Sequence, residues 1–254
     1  MTDANWTTAI THIAPNEVRL RGYRIDELMG RVPFAQAIFL ALRGELPSPE
    51  VGRLVDAMLV ASIDHGATPP SALAARTAAS TGAALNAAVA AGVLSINRFH
   101  GGAIFDCMEI LERLIDATQG DGGPSVDSLI EEFAAQKKRV AGLGHRIHTA
   151  DPRTARLFAL ADEAGVGGAG VQAINALARG YARRGKRLPI NVDGAIAALL
   201  VDLAVPRELA NAFFIMARVP GLVAHVFEEQ TTQKPMRRIH PTAHSYTGPL
   251  PRTL

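Results

Sequence analysis

Histidine and aspartate move protons and arginine holds carboxylates, and in this chain such residues sit on turns between apolar segments. His100 stands directly before Gly101-Gly102, His145 directly after Gly142-Leu143-Gly144, and Asp193 within Asn191-Val192-Asp193-Gly194. A Gly-x-Gly turn lets backbone come close to a ligand without Cβ clashes. Behind it, Asp151-Pro152-Arg153 reads as a helix start, with Asp151 as N-cap and Pro152 at the first helical position. The N-terminus of such a helix favours anions. Each residue alone has an ordinary explanation: Asp193 caps the helix that follows, and histidines beside glycine are common in loops. Unpartnered polar groups between apolar helices are costly, however, and the recurrence of such turns in one helical chain points to an acid–base site.

The elements that must position these turns are helical. Val18, Leu20 and Tyr23 around Arg21-Gly22 suggest a hairpin near the N-terminus. From there on helical periods dominate. Pro33 opens an apolar segment that Gly44 ends. Ser48-Pro49 caps a helix whose inward face is Val51, Leu54, Val55, Met58 and Leu59. Residues 71–98 are Ala-rich with few charges, which predicts a buried helix pair. Further helices are expected at 103–117, after Ser125, at 151–164, 170–184, 195–204 and 207–218, with a break at Val219-Pro220-Gly221 and a last helix through about Gln230. The segment from Lys234 reads as an extended arm. The fold class is therefore all-α.

Composition excludes several classes. The 254 residues carry a formal net charge of +2 and 5% aromatics, too little charge and too few stacking surfaces for a nucleic-acid binder. No uninterrupted apolar run approaches the roughly 20 residues of a membrane span, and no secretory signal opens the chain. Cys107 is the only cysteine, which fits a reducing, cytoplasmic setting. There is no His-Glu-x-x-His, no cysteine cluster and no Walker-type loop, so neither a metal site nor ATP-driven ligation is expected here.

The turns also carry a resemblance. Phe99-His100-Gly101-Gly102-Ala103, Gly142-Leu143-Gly144-His145-Arg146 with Asp151-Pro152-Arg153, and Asn191-Val192-Asp193 resemble, in order, the catalytic signatures of the citrate synthase family. Gly22-Tyr23-Arg24-Ile25, Asp64-His65-Gly66 with Ser71 and Ala75-Arg76, Met216-Ala217-Arg218-Val219-Pro220-Gly221 with Ala224-His225, and Tyr246-Thr247-Gly248-Pro249 extend the likeness over nearly the whole chain. The short chain, Gly194 where synthases usually carry an aromatic, and the sequence around His145 are most similar to citryl-CoA lyases, both free-standing and as the module of ATP-citrate lyase. His100, in contrast, is synthase-like, and the loop from His145 to Arg153 is one residue shorter than in typical synthases.

The resemblance implies a helical two-domain fold: a large domain from 1–99 and 200–254, and a small domain of 100–199 bearing the catalytic loops. It implies citryl-CoA lyase activity, the retro-Claisen cleavage of citryl-CoA to acetyl-CoA and oxaloacetate. A citrate or 2-methylcitrate-type synthase, and a non-catalytic CoA-binding or regulatory subunit, are the alternatives. By the same likeness His145 works on the citryl hydroxyl or carbonyl oxygen, His100 hydrogen-bonds the enolate oxygen, and Asp193 exchanges a proton with the acetyl methyl. His65, Arg153, Arg218 and Arg238, the last across a homodimer, would hold the carboxylates. Gly142, Leu143, Gly144 and Arg146 would meet coenzyme A, which enters as part of the substrate and not as a bound cofactor. If citryl-CoA is made from citrate and ATP, a separate citryl-CoA synthetase must make it.

Overall fold

The computed structural model describes residues 7–119, 123–145, 149–238, 245, 247 and 248. It opens with an antiparallel meander of β1 (Thr11–Ala14), β2 (Glu17–Leu20) and β3 (Tyr23–Arg24), with Thr11 opposite Leu20 and Arg19 opposite Arg24. The expected Arg21-Gly22 turn joins β2 to β3, both residues taking positive φ (50° and 89°), as a tight hairpin requires. All later elements among the described residues are helical.

After the short α1 (Ile25–Leu28) come α2 (Phe34–Arg43) and α3 (Pro49–Ala61). Gly44 ends α2 in the left-handed conformation, and Ser48 caps α3 by accepting the Val51 N–H. Next are α4 (Pro70–Ser80), α5 (Leu85–Leu94), α6 (Ala103–Gln119) and α7 (Val126–Ala135). They are followed by α8 (Pro152–Glu163), α9 (Ala169–Arg183), α10 (Val192–Asp202) and α11 (Ala210–Thr232). One large apolar core joins α2, α3, α6 to α10 and the start of α11. A smaller one, made of Ala75, Ala79, Ala88, Leu222 and Val226, joins α4, α5 and the second half of α11. The small side chains let these helices approach closely: a Cβ on Gly92 would lie 2.9 Å from the Ser71 carbonyl and 2.9 Å from Leu222 Cδ1.

The structure corrects three sequence expectations. The Ala-rich pair is not buried on both members, for α5 buries only Ala88 and Gly92 and leaves Leu85 and Leu94 exposed. Composition cannot tell a core helix from one that covers a core with a single face. Helix α10 begins at Val192 rather than 195, because Asn191 is its cap: Asn191 Oδ1 accepts the Gly194 N–H at 3.0 Å. Asp193 therefore lies in the first helical turn. Third, Val219-Pro220-Gly221 does not break the last helix, and α11 runs through Pro220. Proline removes one hydrogen bond there, but Ala217, Arg218, Leu222 and Val226 are buried on either side of it. Gly221 also packs so tightly that a Cβ would sit 2.5 Å from the Ile63 carbonyl oxygen. Packing outweighs the local proline penalty. By length and mean hydropathy the segment Arg207–Thr232 could cross a membrane. It carries the buried Arg218 and Glu229 and packs on α3, α4, α5 and α6, which makes it a core helix.

Candidate active site

The loops that carry His145 and Asp193 form one unit. Asn191 N–H donates to the Gly142 carbonyl at 3.1 Å, Gly144 N–H donates to the Pro189 carbonyl at 2.7 Å, and Asn191 Nδ2 donates to the Gly144 carbonyl at 2.9 Å. Leu143 and Ile190 form an antiparallel bridge, and Thr154 of α8 donates its hydroxyl to the Ile190 carbonyl. Glycine is required on both sides of the contact. A Cβ on Gly194 would lie 2.3 Å from the Gly142 carbonyl oxygen, and one on Gly142 would lie 2.4 Å from Cys107 Sγ. Gly142 also has φ of 82°. The glycines at 142 and 194 thus have a packing reason of their own.

This unit faces the end of α3, the α5–α6 turn and α11 across a cavity of about 450 Å³. His65, His100, His145, Arg153, Asp193 and Arg218 all line it. His100 is held at Nε2 by the Ser71 hydroxyl (2.8 Å), with the Ser71 backbone N–H also directed at that nitrogen (3.4 Å). Ser71 is fully buried in the first turn of α4. A backbone N–H can only donate, so Nε2 acts as acceptor and the proton sits on Nδ1. Burial, the Arg218 guanidinium and His65 all push the His100 pKa down, and the nearby helix N-terminus opposes a cation as well. His100 is therefore a neutral hydrogen-bond donor. Phe214 meets its ring edge-on at 5.6 Å and also receives the Arg218 guanidinium over its own ring at 4.6 Å.

Burial raises the Asp193 pKa, against the opposing pull of Arg153, His65 and Arg218. Its acid form thus persists to higher pH than that of a free carboxyl group. Arg153 is oriented by Asp151, with Nε on Oδ1 at 3.0 Å and Nη2 on Oδ2 at 2.8 Å, while Asp151 Oδ1 also accepts the Arg153 N–H and so caps α8. The shorter loop before it does not displace Arg153 from the cavity. Arg218 donates Nε to the Ser62 carbonyl at 3.1 Å, and its pKa is lowered by burial. The turn bearing His65 is fixed by Asp64, which accepts the Gly66 N–H at 2.9 Å and meets His225 of α11 at 3.0 Å.

Not every expected residue reaches the cavity. Of the Gly-x-Gly loop, Ala141 and His145 line it; Gly142 and Leu143 are buried behind them, and Gly144 is partly exposed. Arg146 and Tyr246 lie outside the described residues. Arg238 is exposed beside a second cavity formed by Glu229 and residues 233–238, away from the first. The cavity also contains residues that were not nominated: Arg98, Phe99, Asp106, Arg139 and Phe214. Arg98 and Arg139 flank the very motifs quoted for His100 and His145, Arg139 ending a Lys137-Lys138-Arg139 run, so adjacency to a motif was the signal available. Phe214 lies four residues, one helical turn, before Arg218 on α11.

Comparison with known proteins agrees with this geometry. A family profile described as "Citrate synthase, C-terminal domain" matches residues 41–241. The chain belongs to the citrate synthase family. The solved structure of citryl-CoA lyase from Hydrogenobacter thermophilus is 43% identical and superposes with a TM-score of 0.90, over 98% of this chain and 97% of that one. Citrate synthase of Haloferax volcanii is 29% identical over 82% of this chain and 53% of its own length. Citrate/2-methylcitrate synthase of Bacillus subtilis is 31% identical over 82% of this chain and 54% of its own length. The chain thus spans about half the length of the curated relatives it matches. Its architecture is the all-α one read from sequence.

Proposed function

We propose that this protein is a citryl-CoA lyase. The observation that carries the proposal is the end-to-end likeness, at 43% identity, to the Hydrogenobacter citryl-CoA lyase, in contrast to the half-length matches to the Haloferax and Bacillus synthases. The cavity supplies what the reaction needs. Citryl-CoA cleavage removes the proton of the tertiary hydroxyl, breaks the adjacent C–C bond to give oxaloacetate, and leaves the acetyl-CoA enolate to be protonated on carbon. No water is consumed. His145 takes the hydroxyl proton. The Nδ1–H of neutral His100 donates to the thioester oxygen as enolate charge develops there, and Asp193, whose pKa burial raises, gives its proton to the enolate carbon. Arg153, Arg218 and His65 hold the carboxylates of the oxaloacetate half. Guanidinium suits these ligands because it pairs with a carboxylate through two parallel hydrogen bonds. The CoA end meets Arg98 and Arg139, which line the cavity. If citryl-CoA is made from citrate and ATP, we assign that ligation to a separate citryl-CoA synthetase, because this sequence carries no Walker-type loop.

We further infer a homodimer, with a second copy covering the exposed apolar residues of α5, as the dimeric habit of the resemblance implies. The second functional reading is a synthase, supported by the names of the curated relatives. One assay separates the two. The purified protein is given citryl-CoA in one reaction, and oxaloacetate with acetyl-CoA in another. Rapid oxaloacetate release from citryl-CoA without net formation of free citrate is expected. Efficient production of free citrate and CoA would overturn the lyase reading, since that requires hydrolysis of the thioester.

A further inference from the structure

The far end of the α4–α11 pair holds a charged cluster that the chemistry above does not use. Glu229 of α11 has a side chain only 1% exposed, yet it is charged. Arg76 of α4, itself nearly buried, donates Nε to Glu229 Oε2 at 2.8 Å and lies 3.5 Å from Glu228. From beyond the end of α11, Arg237 donates Nε to Glu229 Oε1 at 2.9 Å and Nη2 to Oε2. The same segment is tied to the end of α4, where the Met236 N–H donates to the Ser80 carbonyl at 2.7 Å. Met236 takes φ of 58° to make that turn.

These helices carry the site at their other ends. Glu229 shares the buried stripe of α11 with Arg218, Leu222 and Val226, and lies about 16 Å along the helix from Arg218. Arg76 shares the buried stripe of α4 with Ser71, Ala72, Ala75 and Ala79. Between the two ends the contact is made by alanines, Leu222, Val226 and Gly92. Small smooth side chains pack closely but give little resistance to sliding. A buried ion pair is poor as a source of net stability, because desolvation offsets the attraction, and is best attested as a device that fixes register.

Resting on the lyase reading, we propose that the Arg76–Glu229–Arg237 cluster is a positioning device: it sets the register of α4 against α11 and thereby holds Ser71, and through it His100, in line with Phe214 and Arg218. None of its members touches the substrate cavity among the described lining residues. In this arrangement Arg237 is committed to Glu229, which leaves Arg238 as the arginine of the pair available to a ligand. Ala75-Arg76, part of the family-like pattern in the sequence, gains a role that the reaction chemistry alone does not assign.

Glu229→Gln keeps the shape and removes the charge. In the full-length protein, kcat on citryl-CoA is expected to fall about ten- to a hundredfold with KM little changed, because misplacement by an ångström costs on that scale. The readout that does not depend on the substrate is the titration of His100 followed by NMR in protein with labelled histidine. Its pKa should rise towards the ordinary imidazole value as the ring loses its fixed, dry setting. Should Glu229→Gln not fold, Arg237→Ala, which keeps the Arg76–Glu229 pair, is read in the same two ways, with a smaller loss in kcat. Wild-type kcat together with an unshifted His100 titration, whatever the change in melting temperature, overturns the proposal. If the protein proves not to act on citryl-CoA, the titration still decides.

Discussion

Asp193 shows how far the site departs from what folding alone would choose. Its carboxyl group is enclosed, and burial raises its pKa despite three nearby cationic or titratable groups that pull it down. A raised native pKa means that the native state holds the proton more tightly than the unfolded chain. Its contribution to stability is therefore fully present below the unfolded carboxylate pKa and is lost as pH rises through the elevated native value. At neutral pH the raised pKa of Asp193 therefore works against stability, and on the proposed reading it serves proton delivery to carbon. Asp193→Asn should lower turnover of citryl-CoA by about 10²–10⁴-fold, the usual worth of a placed proton-transfer group. It should leave the melting temperature at pH 7 equal to or above wild type and flatten its pH dependence across that window. Turnover and thermal melts at several pH values check both halves. A variant that is inactive because it is unstable would contradict the assignment. The types and order of His100, His145, Asp193, Arg153 and Arg218 were legible in the sequence, because each belongs to a distinctive local pattern. Arg98, Arg139 and Phe214 were not, since membership of the cavity is decided by the docking of loops remote in sequence.

Among the elements, the contact between the His145 loop and the start of α10 decides most. A backbone carbonyl, not a flexible side chain, fills the space where a Cβ on Gly194 would go, 2.3 Å away. Neither partner can yield by changing rotamer. Gly194→Ala should therefore destabilise the protein by about 1–3 kcal/mol, the range for overpacked positions, and should spread Asp193 from His145. Urea denaturation measures the first effect, and kcat at a temperature where the variant remains folded measures the second. Wild-type values for both would show that the loops move apart freely. The glycine after Asp193 is visible in sequence as a departure from the synthase pattern, but its reason is not, because nothing local announces that Gly142 will lie against it. The same limit explains α10 and α11. Asn191 outcompeted the following residues as a cap, and a proline that should end a helix is overridden by buried neighbours on both sides. Helix existence follows from periodicity, whereas boundaries follow from tertiary partners.

At the scale of the whole molecule, the exposed apolar surface is unevenly placed. Leu85 and Leu94 of α5 are 47% and 78% exposed, and on the adjoining α11 Val223 and Phe227 are 38% and 65% exposed. Single exposed apolar residues are ordinary, but helices that pack together and each leave large apolar side chains outward mark an interface. The sequence showed α5 to be apolar and could not say whether its outer face meets its own chain or another. With the chain folded, that face has no cover from within the described residues, and a second copy is the occupant proposed above. Leu94→Glu tests this without disturbing the interior, because the side chain makes little contact with its own chain. Placed in a dimer interface, the carboxylate would lose its hydration with no partner. The expected result is a folded monomer by sedimentation, with a lower and concentration-dependent melting temperature. Citryl-CoA turnover should fall with dissociation and recover as protein concentration is raised. Because Arg238 does not line its own chain's cavity and Arg237 is held by Glu229, loss of turnover on dissociation would point to a carboxylate ligand supplied by the neighbouring copy. A variant that stays dimeric would move the interface away from α5, whereas a wild-type protein that is monomeric and fully active would make each chain's cavity complete by itself, with Arg153, Arg218 and His65 sufficient for the carboxylates.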